Sequence, residues 1–444
     1  MTTVDAPELE YTQISKNHGS YSFYKVTPVS GVSTVTLTTS GGNETLFEIP
    51  AQTYNHSRDV LAFDLTPTAS GSGRYNWVYS DCWPMIRTIE LYSRGQVYPV
   101  RVNDVNKYTN MIFRHELKID DVKNFDKFNG GGGICEGIRI SNDLITAAGA
   151  IRPDNDPAQT NYLEPRYITV GGSNTATPVI KYRIKLGLLL YTLFAIDKDI
   201  YFPEIMTLRI VWAPTTQVAF SAASATDPSS TPLAYAQNMA ISNLYLYCAK
   251  ETNQLIDASV KAKVLGEGLR IMVPYVWSDK QLLSTASQNI SLKYDPHHGR
   301  RLMKIFHSAY HATESSNTCY DREGISDAKI IEFYTQVDNE RRTQYNLDTS
   351  AYDDFLIMRE TLNGSCIFSN DEFYYNHLQI ENFCAEEDVG DRKRIGDNVI
   401  DGKPLDREVK WDIYMTTAGN NLNHYTYAVC LRELMISSTG VNIF

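Results

Sequence analysis

Four histidines in the second half of the chain lie close enough in sequence to suggest a metal site. They are His297, His298, His307 and His311. The segment Arg301–His311 has the composition of a strand, in which residues i and i+4 share a face but lie about 13 Å apart. One metal ion cannot bridge that distance without other ligands. We therefore predict no zinc site at these histidines.

The carboxylate-rich segments also lack the spacing of a catalytic or metal-binding motif. Asp353 and Asp354 fall in the first turn of a helix predicted for residues 351–362, where acidic side chains complement the helix dipole. Asp154–Asp156 and Asp388–Asp391 do not have the ligand spacing of a calcium-binding EF-hand loop. These segments therefore predict no metal ligands.

The motifs of common enzymes are missing as well. The glycine run at residues 129–133 is not followed by Gly-Lys-Ser/Thr, so it does not have the pattern of a phosphate-binding loop. Neither G-x-S-x-G nor H-E-x-x-H occurs. We expect a protein without enzymatic activity, with no catalytic, cofactor-binding or metal-binding residues and no cofactor.

The charge of the chain argues against a primary role in wrapping nucleic acid. The net charge is −11, from 52 acidic and 41 basic residues. A nucleic-acid-binding domain carries a basic stripe, and the short runs Arg300-Arg301 and Arg392-Lys393-Arg394 do not form one. We expect no sequence-specific binding to nucleic acid.

Cysteine usage and hydropathy indicate the compartment in which the chain folds. The seven cysteines are scattered, odd in number and free of C-x-x-C pairs, which is typical of folding without disulfides in a reducing compartment. The first residues lack the basic and apolar regions of a secretory signal. The longest apolar run, Leu186–Ile196, is too short for a transmembrane segment.

The stretch Val179–Pro214 is the strongest structural signal. Residues 180–186 alternate apolar and basic, which predicts a strand with one buried and one wet face. Gly187–Ala195 is almost wholly apolar, as expected of a strand end that is covered on both faces. Residues 206–212 alternate again and end before Pro214. We interpret these as two late strands of a first β-sandwich, joined by a short polar loop.

The whole chain repeats this β pattern in two halves. A length of 444 residues exceeds one ordinary core. We predict an all-β protein with short helical insertions, built from two tandem eight-stranded jelly-roll β-barrels. The expected division is an N-terminal arm at residues 1–18, a first jelly roll at 19–250, a helical linker at 251–266 and a second jelly roll at 267–444. Two short helices are expected between residues 105 and 125.

Three long loops interrupt the strands. They are Asp154–Thr177, Gln217–Thr231 and Cys384–Leu405. Loops of this length are usually functional or disordered. We expect at least two of them at contacts between subunits or on the outer surface of an assembly.

This layout resembles a known family. Four segments support the resemblance. The late strands of the first barrel correspond to LGLLLYTLFAIDKDIYFPEIMTLRIVWAP, and the terminal strand corresponds to HYTYAVCLRELMISSTGVNIF. The core of the second barrel corresponds to GRRLMKIFHSAYHATESSNTCYD and NERRTQYNLDTSAYDDFLIMRETLNGSCIFSNDEFYYNHLQIENF. The chain is similar over residues 20–444 to the double jelly-roll major capsid proteins of tailless icosahedral double-stranded DNA viruses. It most resembles the small members found in virophages and polinton-like viruses.

The resemblance implies a structural function. Such a protein forms homotrimers, whose six barrels make pseudo-hexagonal capsomers that tile an icosahedral shell around double-stranded DNA. Its partners are then other copies of itself, neighbouring capsomers, and the penton and minor capsid proteins. Its location is the virion, after synthesis in the host cytoplasm or virus factory.

Two alternatives remain open from the sequence. The first is another double-barrel virion component, such as a vertex protein or spike base, which copy number in the particle would distinguish. The second is a carbohydrate-binding or glycosidase β-sandwich protein, which predicts exposed aromatic side chains along a groove and a pair of carboxylates. The five tryptophans, at positions 77, 83, 212, 277 and 411, mostly lie in strand patterns or beside proline, which favours core positions.

Overall fold

The computed structural model describes residues 20–68, 75–79, 83–116, 167–169, 179–223, 233–311, 330–341, 346–348, 378–383, 402–417 and 419–443. Strands of the first half are β1 (Tyr21–Val26), β2 (Val35–Leu37), β3 (Glu44–Ile49), β4 (Thr53–Tyr54), β5 (Val60–Pro67), β6 (Tyr75–Tyr79), β7 (Ile86–Ser93), β8 (Val100–Asn103), β9 (Tyr167–Thr169), β10 (Ile180–Lys185), β11 (Ile200–Tyr201), β12 (Met206–Trp212), β13 (Ala219–Ala222), β14 (Leu233–Ala234) and β15 (Met239–Glu251).

In the described ranges two α-helices accompany the strands, α1 (Val105–Glu116) and α2 (Gln254–Gly266). Strands of the second half are β16 (Leu269–Leu283), β17 (Ser287–Tyr294), β18 (Arg301–His311), β19 (Ile330–Val337), β20 (Glu340–Arg341), β21 (Leu347–Asp348), β22 (Leu378–Asn382), β23 (Lys403–Pro404), β24 (Val409–Thr417), β25 (Leu422–Ser437) and β26 (Gly440–Ile443). Neither described helix is long and apolar enough to cross a membrane.

The first jelly roll is built from two facing sheets. One sheet has the order β10-β5-β15-β4-β11, with β1 and β2 also paired to β15, and the other has the order β3-β12-β7-β8. Their inner faces share one apolar core. Phe63 on β5 packs edge-on against Trp212 on β12, with ring centroids 5.4 Å apart, and the Trp212 indole N–H donates to Thr45 Oγ1 at 2.9 Å. This contact joins the two sheets and satisfies the buried indole.

The second jelly roll repeats the arrangement. Its sheets have the orders β16-β25-β18-β22 and β17-β24-β19-β20. The long pairing of β16 with β25 covers all fifteen residues of β16. Trp411 on β24 is fully buried between the sheets together with Ile290, Ile305 and Cys430. The fold class predicted from the sequence, a double jelly roll, is confirmed.

One sheet of the second roll is buried on both faces. On β25, Ala428 and Cys430 point into the second roll, whereas Tyr427 and Val429 belong to the core cluster of the first roll. Tyr427 is 1% exposed. Because β25 alternates between two cores, the rolls share an apolar boundary and form one unit.

The residues that meet this sheet come from α1 and from the segment before β11. The Tyr108 ring packs edge-on against Tyr427 at 5.3 Å, and the Tyr427 hydroxyl donates to the backbone carbonyl of Asp104 at 3.0 Å. The Tyr191 and Phe306 rings lie 6.0 Å apart. Helix α1 confirms one of the two helices expected between residues 105 and 125, and the second lies outside the described residues.

The prediction for Gly187–Ala195 was wrong. This segment is not a strand end but contains two 3-10 turns, Leu186–Leu188 and Leu193–Ala195. It is apolar on all sides because it lies between the first core and the second roll. Strands β10 and β12 are therefore not a hairpin: β10 pairs with β5, and β12 pairs with β3 and β7 in the facing sheet.

The predicted loops also contain short strands. Strand β13 lies within the Gln217–Thr231 loop and pairs with β6, which pairs with β9 from the Asp154–Thr177 loop. Strand β23 lies at the end of the Cys384–Leu405 loop and pairs with β18. The small residues of this segment led to the prediction of a loop, whereas Ala219 and Phe220 of β13 are fully buried. Most of these loops lie outside the described residues, so their position in an assembly stays a prediction.

Helix α2 forms where a helical linker was predicted. The Asn253 side chain caps its first turn by accepting from the Leu255 backbone N–H. Ile256, Val260 and Val264, spaced four residues apart, are its buried side chains. The sequence pattern therefore located both the helix and its buried face.

Candidate functional site

The histidines singled out by sequence are divided among separate places. His297 and His298 lie in the turn before β18, and His307 lies within β18. The side chain of His311 and the segments 129–133, 154–156, 351–362 and 388–391 lie outside the described residues. Among the residues that the structure describes, no group of three or more His, Cys, Asp or Glu side chains is placed to hold a metal ion.

His307 instead forms a buried pair with His424 from β25. His307 Nδ1 lies 3.3 Å from His424 Nε2, and His424 Nδ1 lies 3.3 Å from Thr426 Oγ1. Burial lowers the pKa of His424 to about 3, and burial together with the neighbouring His424 lowers the pKa of His307 well below its usual value. Both rings are therefore neutral at pH 7. The pair links β18 to β25 and is buried within the fold.

A second polar cluster lies where β1, β11 and β15 meet. Asp199 is fully buried and Glu251 is 2% exposed. Glu251 Oε1 accepts from the backbone N–H groups of Ser20 and Asn253, at 3.1 and 2.6 Å. By contrast, neither oxygen of Asp199 accepts a hydrogen bond of normal geometry from a described residue. The Asp199 carboxyl is therefore buried with little hydrogen bonding to offset its loss of hydration.

The environment of Asp199 favours its protonated form. Burial is the main cause that raises the pKa of Asp199 to about 7, and the charges of Glu251 and Asp197 act in the same direction. The Tyr21 hydroxyl and the Arg58 charge oppose them. Asp199 can therefore exchange a proton near neutral pH.

The outer face of the first roll carries a different feature, which we call the lysine face. It consists of Lys25 on β1, Lys181 and Lys185 on β10, and Tyr245 and Tyr247 on β15. Strand register places these side chains together: Lys185 pairs with Val60, Val60 with Tyr247, and Tyr247 with Lys25. The core-facing residues alternate with them, so all five point outward.

Carboxylates lie near the lysine face but form no ion pair with its lysines: Asp64, opposite Lys181 on β5, is bound to Arg183, and the charge of Asp197 acts on Lys185. All three lysines are exposed, and none forms an ion pair with a described residue. The Lys25 ammonium lies 3.4 Å from the centroid of the Tyr245 ring, a cation–π contact. The pKa of Lys185 is lowered by partial burial and by the charge of Arg58, against the opposing effect of Asp197.

Sequence reasoning missed this surface because its parts are distant in the chain. The alternation of Lys181, Arg183 and Lys185 signals a wet strand face, but Lys25 joins them only through the pairing of β1 with β15. Arg183 differs from the lysines because it is bound to Asp64, with Nη1 and Oδ1 3.1 Å apart. A basic patch that is assembled from several strands across four neighbouring positions of a sheet has no recognisable pattern in the sequence.

Two clefts open along the boundary between the rolls. One, of 430 Å³, is lined by Arg101, Arg432, Tyr98 and Tyr275, among others. Arg432 donates to the backbone carbonyls of His297 and His298, and Arg101 pairs with Glu90. Each guanidinium group is therefore bound to groups of its own roll.

The second cleft, of 260 Å³, contains two carboxylates, Asp104 and Asp279. Asp279 Oδ2 accepts from Gln281, and the backbone carbonyl of Asp104 accepts from Tyr427. A carbohydrate-binding groove would need exposed tryptophans. None of the four tryptophans whose side chains the structure describes is exposed. Trp83, Trp212 and Trp411 are buried, and Trp277 packs against Tyr294 with ring centroids 5.3 Å apart.

Similarity to known proteins is found in the fold and not in the sequence. No protein-family model matches the chain, and no curated protein sequence matches it. In solved structures, the PBCV-1 virus capsid, as a quasi-atomic model, aligns with a TM-score of 0.56 and 10% identity over 96% of this chain and 96% of that one. The Sputnik virophage structure from cryo-EM aligns with a TM-score of 0.53 and 13% identity, over 96% of this chain and 88% of that one.

Both alignments run through the two rolls. At 10–13% identity they establish a shared fold. The resemblance to double jelly-roll capsid proteins, expected from the sequence, is therefore confirmed for the fold.

Proposed function

We propose that the chain is a major capsid protein, the structural subunit of an icosahedral viral shell that encloses double-stranded DNA. The observation that carries the proposal is the fold shared with the PBCV-1 capsid over both rolls. In this proposal three copies form a trimer, and its six barrels make a pseudo-hexagonal capsomer. Penton and minor capsid proteins are the further partners, and the virion is the location, after synthesis in the host cytoplasm or virus factory.

The division of the chain is part of the proposal. Residues 1–18 form an arm, 19–250 and 267–444 are the two jelly rolls, and 251–266 link them. The boundary supports a building-block role, since Tyr427 and Val429 pack into the first core while their strand belongs to the second roll. A unit of this kind resists bending between its barrels, as a shell requires.

A structural role without enzymatic activity fits the described sites. The His307–His424 pair and Asp199 are buried within the fold, and Arg101 and Arg432 bind groups of the chain itself. The net charge of −11 suits a protein that encloses DNA without gripping it.

Copy number in purified particles tests the proposal against a minor virion role. Quantitative mass spectrometry of particles from the producing host is expected to find this chain as the most abundant protein. A few copies per particle would instead assign it to a vertex or spike base. Absence from particles, with retention on an acidic or neutral glycan array, would favour the carbohydrate-binding alternative.

A further inference from the structure

The lysine face is a local exception on an acidic molecule. The chain has a net charge of −11, yet Lys25, Lys181 and Lys185 lie on one outer face and none forms an ion pair with a described residue, since Asp64 opposite Lys181 is bound to Arg183. The row from Lys185 to Lys25 crosses three strand spacings, about 14 Å. Such a patch attracts an acidic protein surface and orients it as the two approach each other.

We propose that the lysine face is a docking surface for an acidic surface of a second copy of this chain. The inference deepens the proposed function and rests on it, because a shell requires repeated contacts between copies. Each copy supplies both halves of the contact: the basic patch on the first roll, and an excess of acidic residues elsewhere. The contact is therefore heterologous and suits a repeating lattice.

Charge complementarity favours a second copy over nucleic acid. Proteins that bind duplex DNA through its backbone neutralise roughly six to ten phosphates. The lysine face offers three lysines without ion-pair partners, and the rest of the chain repels a polyanion. A folded acidic protein surface presents fewer charges over a similar width, which three lysines can match.

The side chains of the face are prepared for a protein contact. Lys25 is held against Tyr245, so less side-chain freedom is lost when it binds. The Tyr245 and Tyr247 rings lie 6.5 Å apart and are partly exposed, and Phe23 on β1 is 60% exposed. Exposed aromatic side chains between charged ones are typical of protein interfaces. Within the described residues β1 pairs only with β15.

The experiment compares self-association of three full-length proteins by sedimentation velocity, at low salt and in 0.5 M NaCl. The test variant is K25E/K181E/K185E. The matched control is R87E/R94E/R407E, which makes the same change in net charge at three exposed arginines outside the face. Thermal unfolding of each protein verifies that it is folded.

We expect the native protein and the control to associate at low salt and to weaken in 0.5 M NaCl. The test variant is expected to associate at least about tenfold more weakly than the control. Equal association of both variants would overturn the inference and leave the proposed function standing, whereas a native protein that never associates would defeat the proposed function first. If association is unchanged but duplex DNA binds the native protein and not the test variant, the partner is nucleic acid and the inference is wrong.

Discussion

Replacing Gly187 with alanine is expected to unfold the first jelly roll or to destabilise it severely. A Cβ atom at this position would overlap the backbone carbonyl oxygen of Ser57. The two segments cannot separate easily, because the Leu186 backbone N–H donates to the carbonyl of Asp59 at 2.8 Å and Leu189 is fully buried beside it. We expect a loss on the order of 3–5 kcal/mol, the range of severe core lesions. Guanidinium-induced unfolding followed by tryptophan fluorescence measures it.

Gly266→Ala is the matched control for this substitution. Gly266 is the last residue of α2, and no atom lies within 4 Å of the position that its Cβ would occupy. Alanine favours a helix over glycine, so the control is expected to be neutral or stabilising by about 0.5–1 kcal/mol. If Gly187→Ala unfolds at the same denaturant concentration as the control, Gly187 does not pack closely against the Ser57 backbone.

Asp199→Asn is expected to stabilise the protein above pH 7 and to change little near pH 4. Burial raises the pKa of Asp199 to about 7, whereas the unfolded chain has the ordinary value of 3.8. Between these values the folded state binds the extra proton, so stability falls as pH rises through this window. Asparagine does not ionise and avoids the loss, which is on the order of 2–4 kcal/mol at pH 8. Melting temperatures from pH 4 to 8 measure the effect.

Asp257→Asn provides a control of opposite sign. Burial alone would raise the pKa of Asp257, but hydrogen bonds from Lys261 and Thr53 together with the Lys261 charge lower it. Its ionised form therefore stabilises the fold above pH 4, and the amide should destabilise at pH 8 and have little effect at low pH. A pH-independent difference between native protein and Asp199→Asn would show that Asp199 is already ionised in the fold.

The sequence predicted the elements whose patterns are local. Alternation located β10 and β12, and four-residue spacing located α2. The segment HYTYAVCLRELMISSTGVNIF predicted the terminal strand β25, but the alternation of Tyr425, Tyr427, Val429 and Leu431 within it does not show which core these side chains enter. They face the first roll, because the sheet is apolar on both sides and a pattern within one strand does not identify its neighbour.

The candidate sites depended on contacts between distant residues. The sequence places His307 near His311, but its partner in the fold is His424, which lies 117 positions away. The lysine face combines β1 with β10, and Asp199 owes its raised pKa mainly to burial, with a smaller contribution from the charge of Glu251 across a strand junction. Sheet register creates each of these pairs, and register is set by the whole core rather than by local spacing.

The native mass of the purified protein tests the capsid proposal most directly. Gel filtration with light scattering is expected to give a species of three 50.2 kDa chains that persists on dilution, as a capsomer requires. A monomer at every concentration and salt condition would contradict the proposal that this double jelly roll is the repeating subunit of a viral shell.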